Sequence, residues 1–140
     1  MNKRVLKSYL KGSRKELLET SCFKFDNSYL ISDSYSIIKL NDTYDLKVNE
    51  DKYLLGNMYN NFENDYEFKS KYIPIWAEEE HIDDKYDINM KLFKKINTII
   101  KGNEFSILEN KDKTSYCKYI IKLENTKTNE VGYMLPMRKY

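Results

Sequence analysis

A chain of 140 residues, 41% hydrophobic and 33% charged, has the material for one globular domain and is short for two. That composition excludes a disordered chain, and no apolar run approaches the roughly 18 residues that a membrane span needs. A net charge of +2 excludes a simple polyelectrolyte, so any attraction to a charged partner must come from how the charges are distributed.

The first predicted element is a helix from Lys3 to Glu19, with Val5, Leu6, Tyr9, Leu10, Leu17 and Leu18 on one stripe. Gly12 and Ser13 weaken its middle. Arg4, Lys7, Lys11 and Arg14 are spaced three, four and three residues apart, which places them on the opposite face. From Cys22 the period changes to two. Phe23 and Phe25 flank Lys24, Asp26-Asn27-Ser28 supplies a turn, and Tyr29-Leu30-Ile31 begins the return strand. Strands follow at Tyr35–Leu40 and Tyr44–Val48, giving a meander of short antiparallel strands.

Residues 49–86 carry weaker signals. Tyr53-Leu54-Leu55 and Met58-Tyr59 suggest a short helix, limited by Gly56, and Asn60–Asp65 reads as a loop. Pro74 forbids a central strand at Tyr72–Trp76 and favours an edge or a connection. Glu78–Asp84 is expected as a solvated acidic segment. An amphipathic helix then runs from Met90 to Ile100, with Leu92, Phe93, Ile96, Ile99 and Ile100 as its buried stripe. Asp87 is its expected cap and Gly102 its expected end. Lys91, Lys94, Lys95 and Lys101 occupy the remaining surface. Strands are predicted at Phe105–Leu108, Tyr116–Leu123 and Val131–Met137, separated by turns at Asn110–Lys113 and Asn125–Asn129.

The tail Gly132-Tyr133-Met134-Leu135-Pro136-Met137-Arg138, following a helix and a strand meander, resembles the terminal domain of a bacterial DNA sliding clamp. The last strand of that family closes on a Met-Pro-Met-Arg type sequence. Phe23–Ser34 resembles the family's strand, turn and strand, with Ser32-Asp33-Ser34 where the family has a Thr-Asp-Gly type corner. The resemblance covers about two thirds of the chain and is closest from Asp87 to Arg138; it leaves out residues 49–86. It implies a single α+β domain over residues 1–140, with two helices packed on antiparallel sheet. Proteins of this appearance are expected mainly in phages and other mobile elements of low-GC bacteria. Clamps line their channel with basic helix faces, so the resemblance implies Arg4, Lys7, Lys11, Arg14, Lys91, Lys94 and Lys95 as residues facing duplex DNA. Clamps also hold partner peptides in an apolar pocket beside the terminal strand, here implying Leu135, Pro136 and Met137. A clamp works as a ring of several domains, so homo-oligomerisation is expected with it.

Charge distribution offers both a supporting and a competing reading. Residues 1–40 carry eight basic and four acidic side chains (+4), residues 41–90 five and thirteen (−8), and residues 91–140 eleven and five (+6). Two basic helix faces placed side by side would steer a polyanion, although a solvated helix exterior also fills with Lys and Arg. The acidic middle third, with Glu78, Glu79 and Glu80, could instead imitate DNA phosphates. The chain would then be an inhibitor of a host nucleic-acid enzyme, an anti-defence protein such as an anti-CRISPR. A hydrated loop is the simpler reading of that run than a cation site or an acid–base role for His81.

No GxSxG, HExxH or phosphate-cradling glycine loop is present, and the chain has only four glycines. No enzymatic activity, cofactor or metal is therefore expected. Cys22 and Cys117 read as buried thiols, and the basic N-terminus lacks the apolar run of a signal peptide, so cytoplasmic residence in a bacterial host is expected. Thirteen tyrosines among frequent Asn, Lys and Ile point to an AT-biased coding sequence before an aromatic binding surface. Trp76 reads as a core plug more readily than as an exposed anchor. Met134 and Met137 fit either core packing or a pliable pocket.

Overall fold

The computed structural model describes residues 1–13, 16–76 and 79–139, with backbone alone for Glu16, Leu17 and Glu79. In chain order the elements are α1 (Lys3–Leu10), α2 (Glu16–Thr20), β1 (Ser21–Phe25), β2 (Ser28–Ser32), β3 (Ser36–Leu40) and β4 (Lys47–Asn49). There follow α3 (Leu55–Asn64), β5 (Tyr66–Lys71), β6 (Glu79–His81), β7 (Tyr86–Asn89) and α4 (Met90–Ile100). The chain ends with β8 (Glu104–Asn110), β9 (Tyr119–Asn125), β10 (Glu130–Met134) and β11 (Met137–Arg138). The fold is mixed α+β, dominated by antiparallel sheet.

Eight strands form one sheet in the order β4-β1-β2-β3-β10-β9-β8-β5, and β11-β7-β6 form a second. The order of the large sheet shows two equivalent halves. One runs from helix through β1, β2 and β3; the other runs from α4 through β8, β9 and β10. The last strand of each half meets the other at the centre, β3 against β10 antiparallel, with Gly132 opposite Ile38 and Tyr133 opposite Ile37. A two-fold relation between the halves requires that pairing, and it places both helices on one side. α1 and α4 pack against each other there.

Alternation along the strands sorts the core into two clusters. Cys22, Ile31, Ile38, Ile121 and Met134 face α1 and α4, joined by Leu6, Tyr9, Leu10, Phe93 and Ile96. Their neighbours Phe23, Leu30, Ile37, Ile120 and Tyr133 face the other way, against Leu55 and Tyr59 of α3. The expected two-helix layer is therefore only one side of a sheet covered on both faces. The middle third supplies the second cover, because a sheet apolar on both faces cannot leave either in water.

α3 forms from poor helix material, Gly56 and four asparagines, so burial rather than propensity holds it. Asp51 accepts from Leu55 N and Gly56 N, both at 2.7 Å, and so caps it. Tyr59 then stacks edge-on with Phe25 (5.3 Å) and Tyr133 (5.4 Å).

Several sequence expectations are corrected. The first helix stops at Leu10, with a turn at Lys11-Gly12, and Leu18 of α2 packs on the α3 side. β4 runs parallel to β1, outside the antiparallel meander. Asn60–Asn64 completes α3 instead of forming a loop, and Glu79–His81 is a paired strand. Asn89, not Asp87, caps α4 by accepting from Leu92 N at 3.2 Å, and Lys101 rather than Gly102 takes the left-handed position at its end (φ 52°). The terminal strand breaks at Leu135-Pro136, where proline cannot donate, and Met137-Arg138 joins the small sheet. The Ser32-Asp33-Ser34 corner closes without glycine: Asp33 Oδ1 accepts from Tyr35 N (2.8 Å) and Ser36 Oγ (2.7 Å), and no residue there has positive φ.

Gly132 is where α4 touches the sheet. A Cβ there would stand 2.5 Å from Ile96 Cγ2, so only glycine allows this approach. Gly132→Ala is expected to destabilise the protein by about 1–3 kcal/mol, since overpacking costs that much in a dense core. Adding Ile96→Ala, which deletes that methyl, should make the double variant lose less in urea unfolding than the sum of the two single losses. Additive losses would show that the contact does not control the seating of α4.

Candidate nucleic-acid interface

α1 and α4 present their cations through the same construction. Asn2 caps α1 by accepting from Val5 N at 3.1 Å, as Asn89 caps α4, and each helix buries one stripe in the shared core. Helical periodicity then turns Arg4, Lys7 and Lys11 outward from the first half and Lys91 and Lys94 from the second; all five are exposed. Lys95 is half-buried. It lies within electrostatic reach of Asp33, whose carboxyl burial pushes up and the bonds from Ser36 and Tyr35, with the Lys95 charge, pull down. Arg14 lies outside the described residues.

None of these six cations has a carboxylate within 4.0 Å among the described residues. Lys3 differs, being paired with Asp45 at the surface. On α4 a depression of about 430 Å³ is lined by Met90, Lys91, Lys94 and Lys95. The α1 side is anchored by Tyr9, whose hydroxyl shares a 2.8 Å hydrogen bond with Ser36 Oγ, and by Ser34 Oγ donating to Gly12 O at 3.0 Å. The two mutually packed helices thus carry these six cations without a carboxylate partner among the described residues.

Several carboxylates of the acidic middle third are engaged in structure, while Asp42, Glu50, Glu63, Asp65, Glu67 and Asp84 are exposed. Glu80 is buried, at 6% exposure; Tyr72 Oη donates to its Oε1, Ile75 N does so at 3.2 Å, and Oε2 has no hydrogen-bond partner in the described structure. Glu80 therefore presents no charge to a partner, contrary to the sequence reading. Glu78 and the side chain of Glu79 lie outside the described residues. Asp51 caps α3. Asp83 accepts from Lys85 N (2.8 Å) and Tyr86 N (3.0 Å) in the turn between β6 and β7.

His81 has a partner that sequence spacing did not reveal. Its Nδ1 is hydrogen-bonded to Asp87 Oδ1, because β6 and β7 place His81 directly opposite Asp87. Lys139 Nζ donates to the same oxygen at 3.0 Å, and Lys139 N donates to Lys85 O at 2.7 Å. Burial alone would raise the Asp87 carboxyl, but the bonds from His81 and Lys139 outweigh it and hold the group below its ordinary range. The cluster clasps the chain end to β7.

At the tail, a cavity of about 250 Å³ is lined by Tyr86, Tyr116, Cys117, Lys118, Tyr119, Leu135, Pro136 and Arg138. Leu135 and Pro136 of the three tail residues line it, and Met137 does not. Met137 begins β11, points elsewhere and is 39% exposed, while Met134 is fully buried in the core. The aromatic wall was missed by sequence reasoning, although Tyr116-Cys117-Lys118-Tyr119 was visible as an aromatic pair around a thiol. Both cysteines are free, Cys22 buried and Cys117 only half-buried. Trp76 is neither plug nor free anchor: it is 46% exposed, with its ring edge-on to Phe93 at 5.8 Å.

Among the described residues no helix is long and apolar enough to cross a membrane. Compared with protein-family models, curated proteins and solved structures, the chain matches none.

The lowered Asp87 pKa fixes the sign of a pH effect. A carboxyl depressed on folding contributes stability above its unfolded value and loses it as pH falls through the folded one. Amide exchange at Met137–Lys139 should therefore accelerate below the ordinary carboxylate range, and Asp87→Asn should give that fast exchange already at neutral pH. Equal protection of the tail in wild type and variant would remove the clasp from the account.

Proposed function

We propose that the protein is a non-catalytic, clamp-like interaction protein of a phage or mobile element, acting in DNA metabolism. It lays α1 and α4 against the phosphates of duplex DNA. The observation that carries this reading is the pairing of the two helices on one side of one sheet with their cations outward and unpaired. Arg4, Lys7 and Lys11 would hold phosphates from one half, and Lys91, Lys94 and Lys95 from the other. Such contacts position a duplex without reading its sequence. The matching order of the two halves also supports the resemblance to one sliding-clamp domain. In that reading several copies associate so that helix faces surround or flank the duplex, and Leu135 and Pro136 contribute to a pocket for a partner peptide.

Inhibition of a host nucleic-acid enzyme through the acidic third has less support. Glu80 is buried, Asp87 is paired and Asp51 is engaged at the start of α3, so these three carboxylates are not offered to a partner.

Six phosphate contacts predict that the logarithm of the binding constant falls against log salt with a slope of about −5. Between 50 and 200 mM salt that is roughly a thousand-fold loss of affinity. Charge reversal at the exposed Lys91 and Lys94 together should abolish DNA retention while leaving urea unfolding nearly unchanged. Light scattering during gel filtration should report an oligomer. A single-chain mass would remove the ring, and unchanged retention by the reversed protein would remove the interface.

A further inference from the structure

α3 closes the second face of the large sheet except beyond its own last turn, where the chain passes directly into the edge strand β5. Strand register decides what stands there. Phe68 is paired with Leu108, Ser106 with Lys122, and Lys122 with Tyr133, so these side chains share one face across four strands. Glu124 follows Lys122 by two residues and joins the same face. With Phe62 and Glu63 of α3 they line a cavity of about 470 Å³, and sites for small ligands span roughly 300–1,000 Å³.

The walls of this cavity are aromatic and its charge is negative. The ring of Phe62 lies 5.9 Å from that of Tyr66 and 5.6 Å from that of Tyr133, and Phe68 is 66% exposed at the sheet edge. Glu63 has no cation within 4.0 Å among the described residues, and Glu124 has only Lys122, at 3.7 Å. Those three side chains together leave one negative charge in excess. The nearby phenols register it: burial first, then Glu63 and Glu124, hold the Tyr133 proton on beyond the ordinary tyrosine range. Tyr59 packs on Tyr133 at 5.4 Å, and its proton is held by burial and then by Tyr133 and Glu63. The Tyr59 hydroxyl is buried without a hydrogen-bond partner in the described structure, and an orphaned polar atom behind a cavity wall marks a place where a polar group is missing.

A single cation complements one excess negative charge. Aromatic walls select a cation that spreads its charge over a plane, because a guanidinium stacks on a ring while its edge donates to a carboxylate. A metal ion fits poorly: Lys122 stands among the carboxylates, and no three metal-ligating side chains converge among the described residues. We propose that this cavity is a guanidinium site, taking an arginine side chain against the Phe62 and Tyr133 rings with its edge on Glu63. The site lies on the sheet face opposite α1 and α4 and does not depend on the nucleic-acid reading.

The probe is N-acetylarginine methylamide, followed by amide chemical shifts of the full-length protein. It should shift Phe62, Glu63, Glu124 and Tyr133 saturably, with a dissociation constant of about a millimolar, as its size allows. The citrulline analogue, of the same shape without the charge, should not. Glu63 is exposed, so Glu63→Gln should keep urea unfolding unchanged and weaken the probe about ten-fold. Lys122→Gln removes the competing cation and should tighten it about three-fold. Tighter binding of free arginine than of the blocked residue would assign the site to the free amino acid, and the reverse order to an arginine within a polypeptide. Equal shifts from the citrulline or the lysine analogue, or none from the arginine probe well above that concentration, would overturn the proposal.

Discussion

The antiparallel junction of β3 and β10 is the constraint on which the rest of the structure depends. It joins two helix-and-meander halves into one sheet and fixes which side each half's helix must occupy. Gly132 sits in that junction, beneath Ile96, and its missing side chain is what lets α4 lie directly on the strands. Fully buried residues such as Phe93 and Ile96 each contribute about 1.5–3 kcal/mol to that seating. Local signals form the helices, but only this central pairing makes their outer faces neighbours.

The two sheet faces have been given different work. One carries α1 and α4, whose exteriors are cationic and, apart from the Lys3–Asp45 pair, free of ion pairs among the described residues. The other is closed by α3 and the aromatic contacts of Tyr59. The acidic third supplies this second cover and spends several of its carboxylates on caps, turns and the clasp at Asp87.

What the sequence revealed follows from how local each signal was. α4 was legible to the residue, Met90–Ile100, because one stripe of six buried side chains sets both its face and its length. The β1–β2 turn was legible because Asp26-Asn27 tolerates the backbone it needs; Asp26 has a φ of 49°. α3 was half-hidden, since its asparagines read as loop and only the sheet face supplies its partner. β5 has weak alternation and a register shift between Phe68 and Ser70, and it was not read at all. Asp87 looked like a helix cap by spacing, yet strand pairing brings it to His81. The exposed basic faces were legible by periodicity, whereas the contact of Trp76 with Phe93 is tertiary and could not be read from the sequence. Leu135 and Pro136 were named through resemblance, and the tyrosines beside them were not, because Tyr86, Tyr116 and Tyr119 come from separate segments that only the fold assembles.

The central claim is that cations from both halves act as one surface on DNA. Lysine acetylation footprinting with and without duplex DNA tests it most directly, residue by residue, on the unaltered protein. The account predicts joint protection of Lys7, Lys11, Lys91 and Lys94, with Lys52 beside α3 and Lys113 in the β8–β9 turn remaining reactive. Protection confined to one helix, or spread evenly over all lysines, would contradict it.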